Sequence, residues 1–136
     1  MTPSLHYFRN PAATISYMSA GYIRLDWQPV AATAPELRAI YEQVLRAMRH
    51  HSATSLMTVH NQRPPMPPDV QSWLTQDWMP RAVAEVGYGL CAIVEAAQPL
   101  SRLAARSVGS AFAGQLRYQY FDSETAADAW LRREAR

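Results

Sequence analysis

The side chains able to carry chemistry are few, and they are spread along the chain. Four histidines stand at positions 6, 50, 51 and 60, and one cysteine at 91. His50 and His51 are neighbours, so on a helix their rings diverge by about 100° and do not easily share a metal ion. No His-x-x-x-His spacing and no second cysteine completes a ligand set, so no metal site is expected. All 13 basic residues are arginine. Without lysine there is no Walker-type phosphate loop, no pyridoxal Schiff base and no lysine nucleophile, and no cofactor is expected. No Gly-x-Ser-x-Gly elbow presents a serine. Cys91 sits inside an apolar run, where a thiol is inert, and it has no partner for an internal disulfide. Glu124 and Asp128 open a helix and suit its positive pole without any catalytic duty. No catalytic residue is assigned.

The densest grouping of polar chemistry is the segment from His60 to Asp69. His60, Asn61, Arg63 and Asp69 offer an imidazole, an amide, a guanidinium and a carboxylate within ten positions. The segment leaves the carboxyl end of an expected central strand, the place where open α/β sheets gather ligand-binding groups. Trp73 and Trp78 follow it. These six residues are the candidates for contact with a ligand or partner. An acid–base pair of His60 and Asp69 would need both side chains to converge on one cleft, and a His60 sealed in the core would defeat it. The simpler reading is that Pro64, Pro65, Pro67 and Pro68 stiffen a long connection and that Asp69 caps a helix. Trp27, Trp73, Trp78 and Trp130 either line an apolar pocket or a dimer seam, or fill the core between sheet and helices.

The elements that must position these groups follow from pattern. Residues 5–8 are short and β-like. Thr14–Met18 and Tyr22–Trp27 alternate around Ser19-Ala20-Gly21, which reads as a hairpin with Ile23, Leu25 and Trp27 on its buried face. Thr33 and Glu36 form a capping box with Pro35 in the first turn. Leu37, Ile40, Tyr41, Val44, Leu45 and Met48 then mark one helical face. Ser55–His60 and Gly89–Glu95 read as strands covered on both sides. A helix opening at Pro68-Asp69 runs through Val70, Trp73, Leu74 and Trp78, with a break or restart expected at Pro80. Residues 99–108 read as a helix and Leu116–Phe121 as a last strand. Ser123 caps a final helix that turns Ala126, Ala127, Trp130 and Leu131 inward. The expected class is α/β, a single mixed sheet of about five strands with helices packed on it. At 136 residues, residues 1–136 suit one domain.

Charge narrows the partners. The formal net charge is +2, with arginines interleaved among 11 acidic residues. Nucleic-acid binding needs a concentrated positive stripe, and the small clusters at Arg102/Arg106 and Arg132/Arg133/Arg136 do not make one. No window approaches the roughly 18 apolar residues of a membrane span. No basic-then-apolar leader precedes the first strand, so a cytoplasmic location is expected.

The assembled pattern resembles the SpoIIAA-like, or STAS/SEC14-like, domains of bacteria. The residues that carry the likeness are the hairpin ending in Asp26-Trp27, Thr33-x-x-Glu36, the strand Leu56–His60 and Trp73-Leu74…Trp78-Met79-Pro80. The terminal Phe121-Asp122-Ser123-Glu124-Thr125-Ala126-Ala127-Asp128-Ala129-Trp130-Leu131 completes it. The resemblance implies a non-enzymatic regulatory or protein-interaction module, commonly a homodimer. An alternative is a domain that binds a small molecule or lipid in an apolar pocket near residues 60–80. The phosphorylated members of that group carry an Asp-Ser motif after the central strand. Here the matching segment, His60 to Asp69, has no serine or threonine, and a phospho-switch is not expected there.

Overall fold

The computed structural model describes residues 4–60, 64, 66–95 and 116–134. Asn61, Arg63 and the helix expected at 99–108 lie outside the described residues. Among the described residues six strands form one mixed sheet, close to the expected five or so. They are β1 (Ser4–Arg9), β2 (Ala13–Met18), β3 (Tyr22–Trp27), β4 (Ser55–Val59), β5 (Leu90–Val94) and β6 (Arg117–Phe121), and they lie side by side in chain order. β1, β2 and β3 pair antiparallel; β3, β4, β5 and β6 pair parallel. The antiparallel part is local hairpin chemistry. The Gly21 amide donates to the Met18 carbonyl at 2.9 Å, and Gly21 takes φ +102°, a conformation that side chains resist.

The parallel part needs crossovers. The first is α1 (Ala34–His51), which begins at the Thr33/Glu36 capping box and stops at Ser52 with φ 54°. The second runs from α2 (Pro68–Trp73) through a wide π segment (Leu74–Trp78) into α3 (Met79–Val86), closed by Gly87 at φ 74°. Of the break or restart expected at Pro80, the restart is what occurs: α3 begins at Met79 with Pro80 in its first turn, and the chain stays helical across it. The Met79 amide reaches back five residues to the Leu74 carbonyl. A widened turn just before the proline relieves the clash of its ring with the preceding carbonyls and removes the need for its missing N–H, so the helix continues. The expected cap by Asp69 is also corrected. The N-cap is Pro67, without a side-chain hydrogen bond, and Asp69 lies in the first turn. The last helix is α4 (Glu124–Glu134), with Ser123 Oγ accepting from the Ala126 amide at 3.2 Å.

The sheet has an apolar layer on each side. On one face Ile15, Ile23, Leu25 and Trp27 meet Ile40, Val44 and Met48 of α1 and Val70, Leu74 and Trp78 of the second crossover. On the other, Met57, Val59, Leu90, Ala92 and Val94 receive Ala127, Trp130 and Leu131 of α4. Ala126, expected to turn inward, is exposed. β4 and β5 are buried along their whole length because helices cover them from both sides. α4 packs on β4, β5 and β6, whereas α1 covers β1, β2 and β3 from the other face. Among the described residues no helix is long and apolar enough to cross a membrane.

Candidate functional site

Parallel strands point their carboxyl ends in one direction, and the loops that leave those ends bound a crevice. Here the crevice lies at the end of β3. A cleft of about 190 Å³ is lined by Ala12, Trp27, Gln28, Val30, Ala31, Ala32, Leu37, Pro64, Met66 and Pro67. Its floor is fixed by local bonds. The Trp27 indole donates to Thr58 Oγ1 at 3.0 Å, a buried bond between β3 and β4. The Gln28 amide donates to the Ala12 carbonyl at 2.8 Å. Asn10 Oδ1 accepts from the Ala12 amide at 2.8 Å while its Nδ2 donates to the Glu36 carbonyl, tying the β1–β2 turn to the start of α1. On the far wall Gln71 Nε2 holds the Met66 carbonyl at 2.7 Å. Val30 on the rim is 50% exposed, the one large apolar side chain so exposed among the described residues.

Among the described residues no charged side chain lines this cleft, and neither His60 nor Asp69 lines it. His60, at the end of β4, is 3% exposed, and its amide donates to the Val94 carbonyl at 3.0 Å. Asp69 is exposed and meets Arg38 of α1 at 3.4 Å. Trp78 belongs to the core. Its indole donates to the Tyr41 carbonyl at 2.6 Å, and its ring packs edge-on against Tyr41 at 5.1 Å and Tyr88 at 5.9 Å. Trp73 is half-buried, edge-on to Tyr41 at 6.3 Å. Of the expected pocket near residues 60–80, the described residues that take part in the cleft are Pro64, Met66 and Pro67. The opposite wall, Gln28 to Ala32, was not among the sequence candidates. Its signal was present in Pro29-Val30-Ala31-Ala32, an apolar run in a connection where polar residues are the rule.

A second, wider hollow of about 550 Å³ shares Gln28 with the cleft and is lined otherwise by Arg9, Asn10, Pro11 and Thr14. It lies over the opposite face of the sheet end, because Arg9 and Thr14 are cross-strand partners on the side turned away from Ile15. Thr14 in turn faces Asp26 across β2 and β3. The Asp26 carboxylate is gripped by Arg24 through Nε at 2.8 Å and Nη2 at 2.9 Å. Arg24 also reaches Glu124 of α4, and the bonds to Asp26 lead in holding its guanidinium charged. Beside it the Tyr22 hydroxyl donates to Asp128 Oδ1 at 2.6 Å. Burial, and then that bond, push the Tyr22 phenol well above its ordinary value. Cys91 is buried, and burial raises its thiol to about 11. Among the described residues no three His, Cys, Asp or Glu side chains are grouped to hold a metal ion.

No protein-family model, curated protein or solved structure matches the chain.

Proposed function

We propose that the protein is a non-enzymatic regulatory module of the SpoIIAA/STAS-like kind, working by contact with a protein partner, in the first place a second copy of itself. One observation carries this reading. Among the described residues, the crevice where α/β domains hold reacting groups is lined by apolar and uncharged side chains, while the chemically able groups hold the fold together. His60 is buried, Asp69 faces Arg38, Asp26 and Glu124 meet Arg24, and Asp128 meets Tyr22. The surface offered is the β1–β3 wing. α1 packs on one of its faces, and the other presents Thr14, Ser16, Arg24 and Asp26 and ends at the edge strand β1. Light scattering after gel filtration tests it. The expected result is a dimer mass at tens of micromolar, reduced to a monomer by Ser16→Lys with an unchanged melting curve. A monomer across the whole concentration range would overturn it.

A second reading, favoured by the cleft itself, is binding of a small apolar ligand. The size decides its class. A drug-sized or lipid ligand needs a pocket of roughly 300–1,000 Å³, whereas an engineered cavity of about 150 Å³ holds benzene. At about 190 Å³ the cleft suits a single ring or a short branched chain.

A further inference from the structure

The two hollows at the end of β3 differ in chemistry and share a wall. The cleft has no charged group among its described lining residues and has the Trp27 indole at its floor, with that indole's N–H already donating to Thr58. Among the described residues, the wider hollow is lined by no acidic side chain and by one guanidinium, that of Arg9. Arg9 is exposed and makes no ion pair among the described residues. The carboxylate closest to it by register is Asp26, two strands away along the Arg9–Thr14–Asp26 row. Both oxygens of Asp26 are bound by Arg24, so Asp26 is turned to Arg24 and makes no ion pair with Arg9. Thr14 adds a hydroxyl, and Asn10 and Gln28 add amides. Gln28 stands between the two, and Pro11 and Ala12, one in each lining, are consecutive.

From this juxtaposition we infer that the sheet end binds a small amphipathic carboxylate, its ring or branched chain in the Trp27 cleft and its carboxylate across Gln28 against Arg9. The inference rests on the second reading above and adds the charge of the ligand. Apolar burial in a cleft of this size gives weak, unselective binding. A charge-assisted bond from an otherwise unpaired guanidinium adds preference for an anion over its neutral counterpart.

The test is an amide chemical-shift titration of the full chain with three probes: 3-phenylpropanoate, its neutral amide 3-phenylpropanamide, and acetate. The expected result is saturable shifts at Gln28, Ala31 and Ala32, with the carboxylate binding about tenfold or more tighter than the amide, and acetate weaker than both. Arg9→Gln should bring the carboxylate down to the level of the amide and leave the amide unchanged. Arg9→Lys should keep part of the preference. Ala32→Leu, which fills the cleft, should weaken carboxylate and amide alike. Equal affinities for carboxylate and amide, or a preference that survives Arg9→Gln, would overturn the anionic assignment while leaving the cleft a binding site. No shift at Gln28 to Ala32 with either phenyl probe would overturn the assignment and the second reading together. The mass measured by light scattering stands apart from all three outcomes.

Discussion

The imidazole of His51 lies flat on the phenol ring of Tyr17, with centroids 4.0 Å apart and planes 5° from parallel. The contact pins the last turn of α1 to β2, and Tyr7 of β1 and His50 close around it at 6.1 and 4.7 Å. Nε2 of His51 is buried and meets no hydrogen-bond partner. Burial, and then the neighbouring His50, hold its pKa below the usual histidine value. The folded state therefore favours the neutral ring. The resulting stability is complete above about pH 6.5, the unfolded value, and is lost as pH falls through the depressed folded value. The urea midpoint should drop between pH 7 and pH 5. His51→Phe, which keeps the stack and removes the titration, should flatten that drop; identical slopes for the two proteins would refute the assignment.

Thr58 holds the indole of Trp27 from the neighbouring strand. Thr58→Val keeps the shape and removes the acceptor, which should cost about 1–3 kcal/mol in urea unfolding. Thr58→Ser restores the hydroxyl and should cost less. The bond is also the base of the cleft, so Thr58→Val should shift the amide resonances of Gln28 and Ala12, which lie on either side of Trp27's end of β3.

Cys91 is a protected thiol. Burial raises it to about 11, against a weaker lowering by its hydrogen bond with Tyr88. At pH 8 an unfolded cysteine is about a fifth ionised, while the folded one is ionised to roughly one part in a thousand. Reaction with a disulfide reagent should run about 200-fold slower in the native protein than in urea. Comparable rates would show that the strand opens readily.

Tyr22 anchors α4 through Asp128. Tyr22→Phe should destabilise the protein by about 1–2 kcal/mol, since the acceptor is charged. The raised folded pKa of the phenol means its contribution is complete below about pH 10 and is lost as pH rises above that. Native protein should therefore lose stability more steeply than Tyr22→Phe between pH 10 and 12. Parallel curves would exclude this anchor.

Where local rules decide, the sequence can be read directly. The capping box at Thr33 and Glu36, the stripe from Leu37 to Met48 and the turn at Gly21 each satisfy their own backbone, and all three stand where the pattern places them. At Pro80 the expected restart does occur, as α3, but the π turn that keeps the chain helical up to it has no local mark in the sequence. The errors arise where a neighbour overrides a local rule. Asp69 is a good cap by type, yet Pro67 takes the cap position and Asp69 turns to Arg38, a residue 31 positions earlier. The site was legible on one side only. A run of prolines with His60 and Asp69 points at the β4 connection, but a cleft needs a second wall. That wall comes from the β3 connection, brought alongside by the parallel pairing of Leu25 with Thr58 and Asp26 with Val59. Parallel register is a long-range property, and no spacing within either segment encodes it.

Among the described residues α4 is the helix that covers the second apolar layer, and its late place in the chain has a consequence for biosynthesis. Met57, Val59, Leu90, Ala92 and Val94 are translated well before Ala127, Trp130 and Leu131, the side chains that cover them. Until α4 is made, that greasy strip lacks the cover this helix supplies, and a nascent chain stalled there is a natural client for chaperones and for proteases that clear incomplete products.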